Sequence, residues 1–232
     1  MTTRAQAIIR RAHERRQRAL SEHDSKRVIA AYGVPTTREV LVKTPAEAGS
    51  AARRLGYPVV LKVCSAGESH KTEKGLVAVG LAGERDLRAA FGRLKERAGA
   101  GYAGDFLVQE MIEGSRELMI GMVRDPQFGP CVMFGLGGIF AEILQDVVFR
   151  VAPLGRRDAL EMLRRVRSHR VLDAVRGLPA VDDESLCASL MAVGRIGLDH
   201  PEVSAIDVNP LIVRRGTPIA VDALVVLSGA AA

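Results

Sequence analysis

Short apolar segments separated by turn residues fill the middle of the chain, and they constrain the fold more than any other feature. Residues 106–111, 117–123 and 131–134 have the apolar, β-branched composition of strands, and residues 125–129 (DPQFG) form a hairpin-type turn. Apolar residues over 84–98 recur at helical spacing. Strands clustered into hairpins, with helices packed alongside, predict a mixed α/β (α+β) fold rather than a doubly wound parallel sheet.

The two ends of the chain extend this pattern. Residues 4–20 predict a charged helix with a thin apolar stripe, and a capping box at Ser21 (SEHD) begins a second helix. Residues 156–198 are helical with one break, and residues 203–213 and 218–227 predict two strands joined by a turn.

The net charge of the chain is unevenly distributed. Lys and Arg number 33 against 27 Asp and Glu, and the resulting charge of +6 invites a nucleic-acid interpretation. Residues 1–27 hold eight basic and three acidic residues, a net of +5, whereas residues 28–232 hold 25 and 24, a net of +1. Because basic and acidic side chains alternate around the first predicted helix, we expect a solvated helix face and no nucleic-acid partner.

Several protein classes are excluded by what the sequence lacks. No apolar run is long enough to cross a bilayer, and no hydrophobic segment follows the Arg-rich N-terminus as in a secretory signal. The three cysteines, Cys64, Cys131 and Cys187, are far apart and odd in number, which predicts neither a disulfide framework nor a zinc site. We therefore expect a cytoplasmic protein with reduced thiols and no membrane association.

Lys62 is the first candidate for function, because it interrupts an otherwise apolar strand, PVVLKV, at residues 58–63. A buried lysine must pair with an anion or lose its charge, so a phosphate partner is one interpretation. The other interpretation places Lys62 on the exposed face of an edge strand. The sequence does not decide between the two.

Oxygen-bearing side chains near the C-terminus are candidates for a metal site. The residues around position 207 alternate, so Asp207 and Asn209 point to one side and their apolar neighbours to the other. Asp222 lies within the next predicted strand of the hairpin. Three such groups converging from adjacent strands suit Mg²⁺, a hard cation that takes its other ligands from water and phosphate. A solvated polar face of a half-buried sheet is the alternative interpretation.

Three further candidates are single side chains. Glu110 and Glu117 lie at the edges of apolar runs, where a carboxylate can accept a ribose hydroxyl while nearby backbone groups reach an adenine edge. Solvated carboxylates are the alternative. His70 lies in a polar loop, and an exposed, mobile histidine is compatible with accepting a phosphoryl group, although a surface histidine is the simpler interpretation.

Taken together, these segments resemble the ATP-grasp β subunit of the ADP-forming acyl-CoA synthetases, the acetate–CoA ligase type related to succinyl-CoA synthetase. The resemblance spans about residues 24–227, and its longest stretch is LVQEMIEGSRELMIGMVRDPQFGPCVMFGLGGIFAEILQDVVFRVAPL. Shorter matching stretches are AAYGVPTTREVLVKTPAEA, LGYPVVLKV, SHKTEKG, and IDVNPLIV with the following VDA.

The resemblance implies an ATP-grasp fold, in which two α/β subdomains bind nucleotide between them. We accordingly predict a basic N-terminal helix at residues 1–20 and an ATP-grasp domain at 21–232. The small subdomain is expected at approximately 34–106, and the remainder forms the second subdomain.

The resemblance also implies roles for the residues already named. Lys62 would hold the α- and β-phosphates, and His70 would relay a phosphoryl group between a phosphohistidine of the α subunit and ADP. Glu110 would lie at the adenine and ribose end, with Glu117 on the ribose. The residues implied to contact the nucleotide are Lys62, Glu110, Met111, Ile112, Glu117, Gly137 and Gly138. The residues implied to hold Mg²⁺ are Asp207, Asn209 and Asp222.

The implied reaction is acid + CoA + ATP ⇌ acyl-CoA + ADP + phosphate, through an acyl phosphate and a phosphohistidine. ATP or ADP and Mg²⁺ would bind this chain, and phosphoryl transfer needs mainly positioning and charge neutralisation. No segment of the sequence corresponds to the CoA-binding and acyl-forming domains. We therefore expect a separate CoA-binding α subunit, in an α2β2 assembly.

One departure from the family pattern keeps an alternative open. The family commonly has HKSDxGGV at the histidine loop, where this chain has HKTEKGLV, with Leu76 in place of the second glycine. The usual Ser-Pro-Asp before that loop is Ser-Ala-Gly here, at residues 65–67. The alternative hypothesis is a regulatory ATP-grasp domain that binds nucleotide without turnover.

Overall fold

A computed structural model describes residues 3–65, 75–99, 101–138 and 146–228 of the chain. The helices are α1 (Thr3–Glu14), α2 (Glu22–Ala31), α3 (Pro45–Leu55), α4 (Glu84–Ala98), α5 (Arg156–Arg165) and α6 (Asp183–Asp199), with a 3₁₀ helix at His169–Leu172. The strands are β1 (Glu39–Val42), β2 (Val59–Cys64), β3 (Val77–Leu81), β4 (Asp105–Glu110), β5 (Glu117–Asp125), β6 (Gly129–Leu136), β7 (Val147–Val151), β8 (Val203–Arg214), β9 (Thr217–Ala220) and β10 (Leu224–Leu227). Within these ranges, no helix has the length and apolar character needed to cross a membrane.

The chain divides into two units, each built around its own sheet. The smaller unit comprises Ser21–His23 and Thr37–Met111, where the sequence predicts a subdomain at approximately 34–106. The larger unit comprises Met1–Leu20, Asp24–Thr36 and Ile112–Ala232. Every pairing between the named strands is antiparallel. The predicted mixed α/β class, as opposed to a doubly wound parallel sheet, is confirmed.

In the smaller unit, the strands follow the order β1-β4-β2-β3, and α3 and α4 pack against the sheet. The helix α3 begins where the sequence predicts, because the Thr44 side chain accepts a hydrogen bond from the Glu47 N–H at 3.2 Å and Pro45 follows Thr44. Leu61 and Val63 on β2 belong to the apolar core that these helices cover. Since side chains alternate along a strand, Lys62 lies on the other face of this sheet.

In the larger unit, the strands follow the order β10-β8-β5-β6-β7, and β9 also pairs with β8. The helix α6 packs against β5, β6 and β8. Ile206 and Val208 on β8 are buried in the core of this unit, whereas Asp207 between them is exposed. The face of the sheet that carries Asp207 is therefore the face opposite the helical layer.

The predicted first helix is shorter than the sequence indicates and packs into the larger unit. It ends at Glu14, and Arg16 adopts a left-handed backbone with φ of 54°. Residues 18–20 then run beside β10, where the Leu20 N–H donates to the Val225 carbonyl oxygen at 2.9 Å. An edge strand offers unpaired backbone groups, and satisfying them competes with extending the helix. The buried face of α1 consists of Ala5, Ile8, Ile9 and Ala12.

The three cysteines are free thiols, as the sequence predicts, and Cys64 and Cys187 are buried. Burial raises the pKa of the Cys187 thiol to about 11. This thiol is therefore protonated at neutral pH.

Candidate functional site

Lys62 is a buried lysine with a carboxylate partner. It lies on β2, an interior strand between β4 and β3, so the edge-strand interpretation is excluded. Its side chain is 5% exposed, and Nζ donates a hydrogen bond to Glu22 Oε1 at 2.7 Å. The carboxylate side chain of Glu22 is 1% exposed. The predicted requirement for an anion is thus met inside the smaller unit.

Glu110, at the end of β4, carries a carboxylate that is already engaged. It accepts hydrogen bonds from the Arg38 backbone N–H at 2.8 Å and from the Arg38 guanidinium at 3.1 and 3.2 Å. The Met111 N–H in turn points to the Pro58 carbonyl oxygen at 3.4 Å, and Ile112 is buried. The Glu110 carboxylate therefore anchors β4 to the segment before β1.

Two glycines after β6 form a close turn against β5. The Gly137 N–H donates to the Glu117 carbonyl oxygen at 2.8 Å, and a Cβ at Gly137 would lie 2.6 Å from the Leu118 carbonyl oxygen. Gly138 has φ of +60°, and a Cβ there would overlap the Glu117 carboxylate. Only glycine fits this backbone path without displacing a neighbour. The structure thus brings Glu117, Gly137 and Gly138 together.

Asn209 reaches the same glycine turn through a β-bulge. Leu118 pairs with Leu211 and Ile120 with Val208, so the single residue Met119 lies opposite both Asn209 and Pro210. The Gly138 N–H donates to Asn209 Oδ1 at 3.3 Å. A bulge changes the direction of a side chain relative to the regular pleat, and here it places the Asn209 amide beside the glycines.

Asp222 does not lie within a strand, which corrects the sequence prediction of one strand over 218–227. β9 ends at Ala220 and β10 begins at Leu224, and both pair with the same edge of β8. The interruption lies opposite the bulge in β8. At this point Pro210 has no N–H to donate to the ladder, and its carbonyl oxygen accepts a hydrogen bond from the Val221 N–H at 3.0 Å. Asp222 therefore lies along the backbone next to Asn209.

Asp207 completes this part of the larger unit. Leu224 pairs with Asp207 and Ala220 with Leu211, so the backbone places Asp222 alongside the segment from Asp207 to Leu211. The predicted alternation holds here, since Asp207 is exposed and Ile206 and Val208 are buried. The three oxygen-bearing residues are thus neighbours along the backbone, on β8 and on the segment between β9 and β10 that runs beside it, next to the bulge.

The chemistry of these donors fits magnesium. In the described ranges, no group of three or more His, Cys, Asp and Glu side chains is placed to hold a metal. The predicted set is of a different kind, two carboxylates and one amide. Mg²⁺ is usually bound by one or two carboxylates together with phosphate oxygens and water, so Asp207, Asn209 and Asp222 are a suitable protein contribution.

Sequence reasoning missed two charged residues of the smaller unit, Glu22 and Arg38, which pair with Lys62 and Glu110. Glu22 precedes Lys62 by 40 positions, and its only local signal is its place in the predicted capping box after Ser21. Arg38 directly precedes β1, and no local sequence signal indicates its role. Their partners become evident only when the sheet is assembled. His70 lies outside the described residues.

The comparisons with known proteins agree on one family. A family model described as an ATP-grasp domain matches residues 11–227, a range that contains every candidate site residue. The chain is 38% identical over 229 residues to the β subunit of acetate–CoA ligase (ADP-forming) I of Pyrococcus furiosus, covering 97% of this chain and 98% of that subunit. It is 41% identical over 204 residues to acetate–CoA ligase (ADP-forming) I of Archaeoglobus fulgidus, covering 86% of this chain and 30% of that longer protein.

A solved structure of acetyl-coenzyme A synthetase 1 from Ca. Korarchaeum cryptofilum superposes with a TM-score of 0.85 at 39% identity, covering 97% of this chain and 100% of that chain. That protein was solved with coenzyme A and Mg-AMPPCP, and with its phosphohistidine segment pointing towards the nucleotide-binding site.

Proposed function

Given that the chain belongs to the ATP-grasp family, among the β subunits of ADP-forming acetate–CoA ligases, we propose that it is the nucleotide-binding subunit of an ADP-forming acyl-CoA synthetase. The family and the ATP-grasp fold predicted from the sequence are thereby confirmed. The proposed reaction converts an acid, CoA and ATP into acyl-CoA, ADP and phosphate.

The observation that carries the proposal is the buried Lys62. Its ammonium lies on an interior strand, on the face that the helices of its unit do not cover, and it is held beside an anion. A buried lysine needs an anionic partner to keep its charge, and the anion that the family resemblance implies besides Glu22 is phosphate. We assign Lys62 to the α- and β-phosphates of ATP.

Further contacts are proposed for the residues that the resemblance implies. The turn at Gly137 and Gly138 carries no Cβ atoms, which suits close approach of phosphate to its backbone, and Glu117 beside it suits a ribose hydroxyl. Asp207, Asn209 and Asp222 would hold Mg²⁺, which neutralises phosphate charge when bound. Glu110, Met111 and Ile112 would line the adenine end. Because the Glu110 carboxylate already accepts hydrogen bonds from Arg38, we expect backbone groups of this segment to recognise the adenine.

The isolated chain is expected to bind MgATP and to form no acyl-CoA. Isothermal titration calorimetry should detect MgATP binding that weakens when Mg²⁺ is chelated. Incubation with MgATP, CoA and acetate should give no acetyl-CoA by chromatography until a CoA-binding α subunit is added. Acyl-CoA formation by this chain alone would contradict the assignment as a subunit.

His70 is proposed as the phosphoryl relay, and His70→Asn in the reconstituted complex tests this. We expect turnover to fall by about two orders of magnitude or more, because a step that needs a nucleophile loses it, while MgATP affinity stays unchanged. The alternative, a regulatory domain without turnover, requires unchanged acyl-CoA formation in this variant. Leu76, where the family has glycine, is buried in the core of the smaller unit. Its side chain is thus accommodated by packing within that core.

The proposed partner is a CoA-binding α subunit in an α2β2 assembly in the cytoplasm. The P. furiosus relative is named as a β subunit, and the matched region makes up 30% of the A. fulgidus relative. We propose that for this chain the CoA-binding function lies on a separate subunit. Light scattering on the co-purified subunits measures the stoichiometry.

A further inference from the structure

The buried Lys62–Glu22 pair has a consequence for nucleotide affinity. Nζ and Oε1 are 2.7 Å apart, and both side chains are almost fully removed from solvent. Glu22 is the first residue of α2, and it groups with the smaller unit through Ser21–His23. Its carboxylate thus gives the ammonium an anion before any nucleotide is present.

A phosphate that binds Lys62 must approach this carboxylate. Two oxygens that each lie within hydrogen-bond distance of the same nitrogen are at most about 5.5 to 6 Å apart. Like charges at that separation repel strongly away from bulk water. The same carboxylate therefore stabilises Lys62 in the empty protein and opposes phosphate in the loaded one.

We propose that Glu22 is a resident counter-ion of Lys62 that competes with the nucleotide phosphates and thereby lowers the affinity for ATP and ADP. This inference rests on the proposed role of Lys62 in phosphate binding. Glu22 influences the nucleotide through its contact with the Lys62 ammonium, and we therefore class it as a positioning residue and not as a catalytic one. Weaker binding of both nucleotides suits a subunit of a reversible reaction, which must release whichever nucleotide it forms.

Glu22→Gln tests the inference, because the amide keeps the shape and an acceptor oxygen while the charge is removed. We expect MgATP and MgADP to bind about tenfold more tightly by calorimetry, and adenosine, which has no phosphate, to be unaffected. The melting temperature of the nucleotide-free variant should fall, and its rise on adding MgATP should exceed that of the wild type. A purely structural role would not give this dependence on phosphate.

Glu39→Gln is the matched control. The Glu39 side chain is 7% exposed and bonds His23 Nδ1 at 2.8 Å, so this variant also removes a buried, partnered carboxylate from the smaller unit. It should lower the melting temperature without changing MgATP or MgADP affinity. Equal tightening in both variants would mean that any lost acidic charge has this effect, which would overturn the inference.

Unchanged or weaker MgATP binding by Glu22→Gln would also overturn it. If that variant does not fold, Glu22→Asp withdraws the carboxylate by one methylene and keeps the charge. It should tighten MgATP by about threefold, and no tightening there would reject the inference. A wild-type chain that does not bind MgATP, or Lys62→Met with unchanged affinity, would instead remove the proposed function.

Discussion

Replacing Lys62 with Met is expected to weaken MgATP binding by about ten- to a hundredfold. A hydrogen bond to a charged group contributes about 1.5–3 kcal/mol, and each factor of ten in affinity corresponds to about 1.4 kcal/mol. The same substitution leaves the Glu22 carboxylate buried without the ammonium that it contacts at 2.7 Å. We therefore also expect the free energy of unfolding to fall by about 3–5 kcal/mol. Calorimetry and urea denaturation measure the two effects.

A double variant separates the two effects of removing Lys62. Lys62→Met with Glu22→Gln removes both charges, so most of the lost stability should return while MgATP binding stays weak. Lys43→Met is the surface control, since the Lys43 side chain is 70% exposed and lies 3.9 Å from Asp105. It should change stability by less than about 1 kcal/mol. If the losses of unfolding free energy in the two single variants simply add in the double variant, the Lys62–Glu22 pair makes no contribution to stability, and the prediction is wrong.

Gly137→Ala is expected to lower both stability and MgATP affinity. A Cβ at this position would lie 2.6 Å from the Leu118 carbonyl oxygen and 2.9 Å from its carbon, and both atoms are backbone. The turn must therefore move, at a cost of about 1–3 kcal/mol in the free energy of unfolding. Its movement also displaces Gly138, whose N–H bonds Asn209 at 3.3 Å. We expect at least about a tenfold loss of MgATP affinity, equivalent to about 1.4 kcal/mol.

Gly92→Ala is the matched control for this glycine. Gly92 lies within α4, and a Cβ there would meet no atom within 4 Å. Because alanine has a higher helix propensity than glycine, the free energy of unfolding of this variant should rise by about 0.5–1 kcal/mol, and its MgATP affinity should stay unchanged. An unchanged melting temperature in Gly137→Ala would contradict the close approach to β5.

The regular elements were predictable because their signals are local. The helix α4 has the bounds that the spacing of its apolar residues predicts, and α3 begins at its capping threonine. The predicted strands at 106–111, 117–123 and 131–134 correspond to β4, β5 and β6 with small shifts at their ends. Hairpins of this kind constrain topology, since neighbours in sequence become neighbours in the sheet.

The departures occur where distant segments compete for the same backbone groups. The predicted helix 4–20 ends at Glu14 because the following residues pair with β10, which is more than 200 positions away. The predicted strand 218–227 divides at Asp222 because Pro210, on the neighbouring strand, cannot donate to the ladder. Neither cause is visible within the segment itself.

By itself, the sequence determined which residue types were available for nucleotide chemistry: an isolated lysine within an apolar strand, a pair of glycines, and polar residues alternating along β8. The tertiary structure decided how each is used. It placed Lys62 on an interior strand and gave it Glu22, it closed the Gly137 turn onto Leu118, and it bulged β8 so that Asn209 meets Gly138. The physical reason is that burial, counter-ions and steric contact depend on atoms brought together from distant parts of the chain, whereas alternation and capping depend on neighbours a few residues apart.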